Sequence, residues 1–249
     1  MNTLKHFSLY SSAKIALIIF LALNPVATIL ATIQRSDIVI YRDTKYLLDS
    51  TPLEEYFTNN VGKRPEFKSK RTSLWRGYIA ILEIKDGWLF VKEINQDMGR
   101  DASSGEDIWK DVTSDIFTDP DDRRFDWFSG LLVLPHGKIV KWVNFDTIPI
   151  FENYVILEIS NGKSVKELRI PGQEYEAYQR KQFELFRQTD DYKKIREIRI
   201  KNGYKPENVD EYIERDVFYC SKKILIDSPP PKTETTATRQ ADKVKKRKP

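Results

Sequence analysis

Glu83 and Glu158 occupy equivalent places in two similar segments, Ile81-Leu82-Glu83-Ile84 and Ile156-Leu157-Glu158-Ile159. Two carboxyls about 5–9 Å apart would suit glycoside hydrolysis, one as acid and one as base or nucleophile. Alternation makes each glutamate the outward partner of apolar neighbours, so a solvated face is the default and no catalytic residue is assigned. His136 is the one histidine outside the N-terminal segment. Set between Pro135 and Gly137, it reads as a turn residue, and no Gly-x-Ser-x-Gly elbow accompanies it. Asp115, Asp119, Asp121, Asp122 and Asp126 fall in one loop. Hard oxygen ligands on a loop can hold Ca²⁺, and Asp119, Asp121 and Asp122 are the metal candidates, although the spacing fits no EF-hand. Cys220 has no histidine near it in sequence and reads as an inert buried thiol.

The most suggestive stretch is basic and aromatic together. Lys63, Arg64, Lys68, Lys70, Arg71 and Arg76 interleave with Phe67, Trp75 and Tyr78. Rings that stack and cations that neutralise charge make a groove for a sugar polymer or an anionic partner. Arg71, Trp75, Arg76 and Tyr78 are the candidate binding residues. The competing reading is that Arg76-Gly77-Tyr78 enters a strand, where Tyr and Trp are commonly core.

These residues need elements to position them. Ser36–Tyr41 alternates and is β-branched, which predicts a strand, with Lys45–Leu48 as its partner across Arg42-Asp43. Thr51-Pro52-Leu53-Glu54 has the spacing of a capping box and predicts a helix over Pro52–Phe57. Three segments share one layout, an apolar run, then Asp86-Gly87, His136-Gly137 or Asn161-Gly162, then a second apolar run. Such dipeptides suit the two left-handed positions of a type I′ turn, so three β-hairpins are predicted. A further strand is expected within Ile108–Phe117, for eight or nine in all. Beyond Pro171-Gly172 the period becomes helical over Gln173–Gln188 and again from Tyr192 to Asn202-Gly203. Asn208 can cap a helix to about Asp216, and Val217–Ile226 reads as a last strand.

The fold class expected is mainly β (α+β), an antiparallel hairpin meander closing as a barrel or sandwich over residues 32–172. A helical segment, 173–227, packs on it, and a disordered basic tail, 228–249, follows. The chain has 249 residues and a formal net charge of +4. Residues 1–31 carry +2 and 228–249 carry +5, which leaves the body at −3. A slightly acidic body makes nucleic acid an unfavoured partner. A single cysteine excludes intrachain disulfides and multi-cysteine zinc sites. No P-loop, dinucleotide fingerprint or HExxH motif occurs, and no cofactor is expected.

Lys5 and Lys14 precede twenty uncharged residues, Ile15–Gln34, interrupted by Asn24-Pro25 and reaching a small residue at Ala31. This describes a secretory signal peptide cleaved after Ala31. The alternative is an uncleaved anchor, with membrane contact through residues 15–31. Twenty helical residues just cross a bilayer core, although Pro25 disfavours a continuous helix.

Trp75-Arg76-Gly77-Tyr78-Ile79-Ala80, continuing through Glu83-Ile84 to Gly87, resembles a set of uncharacterised bacterial proteins. Their pattern is RGY-x-A-x-x-E-I-x-x-G, preceded by a Pro-Leu-Glu helix like Pro52–Phe57, and the similarity touches Trp127-Phe128-Ser129-Gly130. It spans Ser36–Leu168 and implies no activity. The function expected is that of an exported, non-enzymatic interaction protein of the bacterial envelope that binds a protein or glycan. The alternatives are a carboxylate-dependent hydrolase and a membrane-tethered accessory protein.

Overall fold

The computed structural model describes residues 34–141 and 149–228. The segment read as a signal or anchor, and the basic tail beyond Ser228, lie outside the described residues. Among those described, no helix is long and apolar enough to cross a membrane.

The first strands, β1 (Asp37–Tyr41) and β2 (Thr44–Leu48), pair around Arg42-Asp43. Both turn residues take positive φ, 50° and 61°, without a glycine. Helix α1 (Pro52–Asn59) carries the chain back to β3 (Tyr78–Lys85), which lies parallel to β1. This one parallel pair departs from the pure meander. Asp86-Gly87 then turns β3 into β4 (Trp88–Arg100), and β4 pairs with β5 (Asp107–Asp111). The later strands are β6 (Gly130–Lys141), β7 (Ile150–Ser160) and β8 (Lys163–Pro171), the last two joined at Asn161-Gly162. All eight form one sheet of order β2-β1-β3-β4-β8-β7-β6, with β5 attached to β4. The sheet curls without closing into a barrel.

Its two halves face each other across a shared core. Val39, Tyr78 and Leu82 of the first half pack with Leu134, Val155 and Leu157 of the second. Strand β7 is buried on both sides, because Ile156 points the other way into a second core. That core lies under α3 (Gly172–Phe186), α4 (Asp190–Lys201), α5 (Val209–Arg215) and α6 (Val217–Cys220). The near-continuous apolar run of β7 therefore suits a strand in the middle of three layers.

Asn208 makes no side-chain cap bond, and four further local expectations fail, each for a nameable reason. His136-Gly137 makes no hairpin. Gly137 has the positive φ of 84° that a turn wants, yet it serves an irregularity inside β6, which continues along β7. The capping box is not formed. Thr51 makes no side-chain cap bond, and Glu54 is committed to Tyr78 and Arg64. The strand expected within Ile108–Phe117 is β5, shifted to Asp107–Asp111, and a helical turn, α2 (Thr113–Ile116), replaces its second part. Val217–Ile226 is helix α6 followed by irregular chain, because Val217 and Phe218 are drawn into the helical core.

Strands β4 and β8 share a single ladder pair, Trp88 with Lys163. The seam is completed by backbone groups around Gly162. The Leu89 N–H donates to the Gly162 carbonyl (2.8 Å), and the Gly162 N–H donates to the Phe128 carbonyl (2.9 Å). The Phe125 N–H donates to the Leu89 carbonyl (2.9 Å), and the Ser164 N–H to the Gly87 carbonyl (2.8 Å). Gly162 has φ +78°, and a Cβ there would lie 2.8 Å from the Phe125 carbonyl carbon and oxygen. Gly87 has nearly the same φ, +79°, but open space where a Cβ would go.

The two glycines separate conformational strain from steric exclusion. Gly87→Ala is expected to cost about 1–2 kcal/mol, the left-handed penalty alone. Gly162→Ala is expected to cost about 3 kcal/mol or more, since backbone must also move. Urea unfolding of both variants measures the difference, and equal losses would remove the seam's claim to tight packing.

Candidate functional site

The four residues expected to form a binding face do not share one surface. Trp75 is 59% exposed, but Arg76 and Tyr78 are buried. They belong to an internal polar network. Arg76 Nη2 donates to Asp37 Oδ1 (2.6 Å) and to the Arg35 carbonyl (3.0 Å), while its Nε donates to the Tyr78 carbonyl (3.0 Å). Asp37 Oδ1 also accepts the Ala80 N–H (2.8 Å), which pins the start of the parallel β1–β3 pair. The Tyr78 hydroxyl donates to Glu54 (2.6 Å), and Glu54 pairs with Arg64 (2.5 Å). Arg76 and Tyr78 thus position backbone and helix. A charge that reads as surface is interior here because its partner arrives from 39 residues away.

Asp37 Oδ2 is buried with no hydrogen-bond partner. Burial is the larger influence on this carboxyl and pushes its pKa up to about 6, against the lowering effect of Arg76.

Arg71 faces a different place. The 3-10 turn Thr72–Leu74, the residues just before β1, and the β4–β5 hairpin surround a cup of about 430 Å³. It is lined by Arg35, Lys70, Arg71, Ser73, Gly99 and Arg100. Arg71 forms its floor. Its Nε and Nη2 grip both oxygens of Asp97 (2.7 and 2.6 Å), and its Nη1 reaches Asp107 (2.5 Å). Such forked contacts fix a guanidinium in one orientation. A register irregularity between Asp97 and Gly99 lets the Gly99 N–H and carbonyl join the arrangement. Arg35 (2.7 Å) and Arg100 (3.2 Å) also pair with Asp107. Hydrogen bonds from Arg71, then Arg35, hold that carboxyl well below the usual range. The Trp109 ring receives Arg35 and Arg71 at 5.7 and 5.6 Å from its centroid, which adds cation–π attraction.

Four cationic side chains thus stand against two carboxylates. Lys70 is exposed and has no ion pair among the described residues. Trp75 lies on the same short segment, and its backbone N–H donates to Gln34 Oε1 beside Arg35 (3.1 Å). Excess positive charge on a pre-oriented frame is suited to holding an anion.

The other candidates are dispersed. Glu83 pairs with Lys92 (3.0 Å) on β3, whereas Glu158 on β7 accepts the Ile224 N–H (2.8 Å), so they do not form a carboxylate pair. Asp119 accepts the Asp121 N–H and caps the turn Pro120–Arg123. Asp126 is paired with Arg124 and Asp115 with Lys110. Among the described residues, no three acidic, His or Cys side chains converge as a metal site, so Asp119, Asp121 and Asp122 are not brought together as a ligand set. His136 sits within β6 against the edge of Tyr46, 5.7 Å between ring centroids. The Cys220 thiol is pushed up by burial and accepts a contact from Arg199 (3.5 Å).

Comparison with models of known families, with curated proteins and with solved structures finds no match.

The network around Asp37 has a measurable signature. Because the folded pKa lies above the unfolded value near 4, folding takes up a proton between about pH 4 and 6. The contribution of Asp37 to stability is therefore present at low pH and is lost as pH rises through 6. A carboxyl ¹³C titration is expected to place the Asp37 midpoint near 6. A midpoint below 4 would show that the pair with Arg76 outweighs burial.

Proposed function

We propose that this chain is an exported, non-enzymatic interaction protein of the bacterial envelope, and that it binds an anionic glycan in the Arg71 cup. The single observation that carries the reading is the concentration of Arg35, Lys70, Arg71 and Arg100 around one opening of a body whose net charge is −3. A field of that sign, opposed to the average of the surface, draws negatively charged partners to one place. Arg71 and Asp97 are rigidly paired and frame the cup. Lys70 and the outer face of Arg100 supply the charge that a ligand would meet. Trp75 offers a flat apolar platform of the kind on which sugar rings stack. Export rests on the arrangement of residues 1–31, with two lysines before an apolar run that ends at Ala31.

The test is calorimetric titration of the protein, residues 32 onward, with a chondroitin sulfate hexasaccharide and with its desulfated counterpart. Saturable binding of the sulfated form is expected, weakening steeply with added salt. Lys70→Glu with Arg100→Glu is expected to weaken it at least about tenfold, or roughly 1.4 kcal/mol, with the circular dichroism spectrum unchanged. Trp75→Ala is expected to weaken both sugars. Absence of saturable binding at low salt, or equal affinity of the charge-reversed variant, would overturn the reading.

A further inference from the structure

A second opening lies in the other half of the molecule, between β6–β7 and helices α3, α5 and α6. It encloses about 270 Å³. Tyr154 comes from β7, Tyr175 from α3, and Phe218 and Tyr219 from α6. Tyr154 and Tyr175 are stacked at 3.8 Å between centroids, and Phe218 lies 5.6 Å from Tyr175. Tyr219 is half exposed at the rim.

One charged group enters this aromatic wall from outside its own half-sheet. Asp49 follows β2 and lines the opening with the rings. Its Oδ1 accepts the Ser36 hydroxyl (2.6 Å). The other charged groups of the lining are paired locally, Glu176 with Lys141, and Asp216 with Arg199 and with Arg215, itself a lining residue. Among the described residues, no cation pairs with Asp49. Its negative charge acts on the hydroxyls of Tyr154, Tyr175 and Tyr219 alike; burial is the first cause that raises their pKa values, and Asp49 adds to it in each. A second depression of about 360 Å³ shares Asp49, Phe218 and Tyr219 and gives room for a longer ligand body.

We infer that this opening is a binding site for a small organic cation of the quaternary-ammonium type, held by the Tyr154, Tyr175, Phe218 and Tyr219 rings with Asp49 as counter-charge. Ring faces of Tyr and Phe attract a diffuse cation, and a carboxylate with no cationic partner among the described residues supplies the net charge that the ligand balances. A neutral molecule of the same shape gains the apolar contacts alone. An anion meets Asp49 unfavourably, so this site and the Arg71 cup select ligands of opposite sign.

Two-dimensional NMR of the tyrosine ring signals, with tetramethylammonium chloride as the probe, tests the inference. Saturable shifts of Tyr154, Tyr175 and Tyr219 are expected, at concentrations where sodium chloride and tert-butanol produce none. Asp49→Asn preserves an acceptor for Ser36 and is expected to weaken binding at least about tenfold. Tyr219→Ala, at the exposed rim, is expected to weaken it several-fold while leaving the fold intact. The inference fails if tetramethylammonium produces no saturable shift, if tert-butanol binds as well, or if Asp49→Asn retains full affinity.

Discussion

The hydrogen bonds that Gly162 makes across the seam hold the two half-sheets together. Strands β4 and β8 run away from each other after one shared ladder pair, so a regular ladder cannot join them. The Asn161-Gly162 turn fills that gap, held between Leu89 on one side and Phe125–Phe128 on the other. A residue with a Cβ could neither take the φ without strain nor fit against the Phe125 backbone. Every buried N–H and carbonyl here must find a partner, because an orphaned one costs about 1–3 kcal/mol. The corner satisfies these groups with backbone alone, and the apolar core between the half-sheets follows from that closure.

The two openings stand in different relations to this arrangement. The aromatic site needs Asp49 from the first half-sheet to meet tyrosines carried by the second half-sheet and its helices. Its existence is a consequence of how β2 lies beside β6, where Tyr46 meets His136. The cationic cup belongs to the first half-sheet alone. Its frame is set by the β4–β5 hairpin and by Arg76, which holds the Arg35 carbonyl from beneath. A buried ion pair such as Arg76–Asp37 is a costly way to stabilise a core. Here it fixes the register of the one parallel strand pair and the position of a residue that lines the cup.

Turns were legible where a dipeptide and its flanking strands were consistent. Asp86-Gly87 and Asn161-Gly162 behave as their residues demand, and Arg42-Asp43 reaches the same geometry without glycine. His136-Gly137 carries the same local signal with a different outcome, because a glycine with positive φ also serves a strand irregularity. Only the length of β7, a distant partner, decides between them. The two long helices α3 and α4 are visible in their periodicity, whereas Val217 and Phe218 are β-favouring residues claimed by the helical core. Within the candidate site, the pairing of cations and aromatics over Lys63–Tyr78 leads to Arg71 and Lys70, which line the cup. It does not separate Arg76 and Tyr78, of which Tyr78 shares the buried face of β3 with Ala80 and Leu82. Arg35, Arg100, Asp97 and Asp107 escaped notice because they meet only after β4 and β5 pair. The aromatic site was hidden for the same reason, since its rings come from three separate elements.

Native-state amide hydrogen exchange tests the seam most directly. If the two half-sheets form one cooperative unit through the Gly162 corner, the N–H groups of Leu89, Phe125, Gly162 and Ser164 exchange with the same free energy as the Leu82 and Leu157 amides of the shared core. Markedly faster exchange at those four, with both half-sheets still protected, would show that the seam opens by itself and that the core does not depend on it.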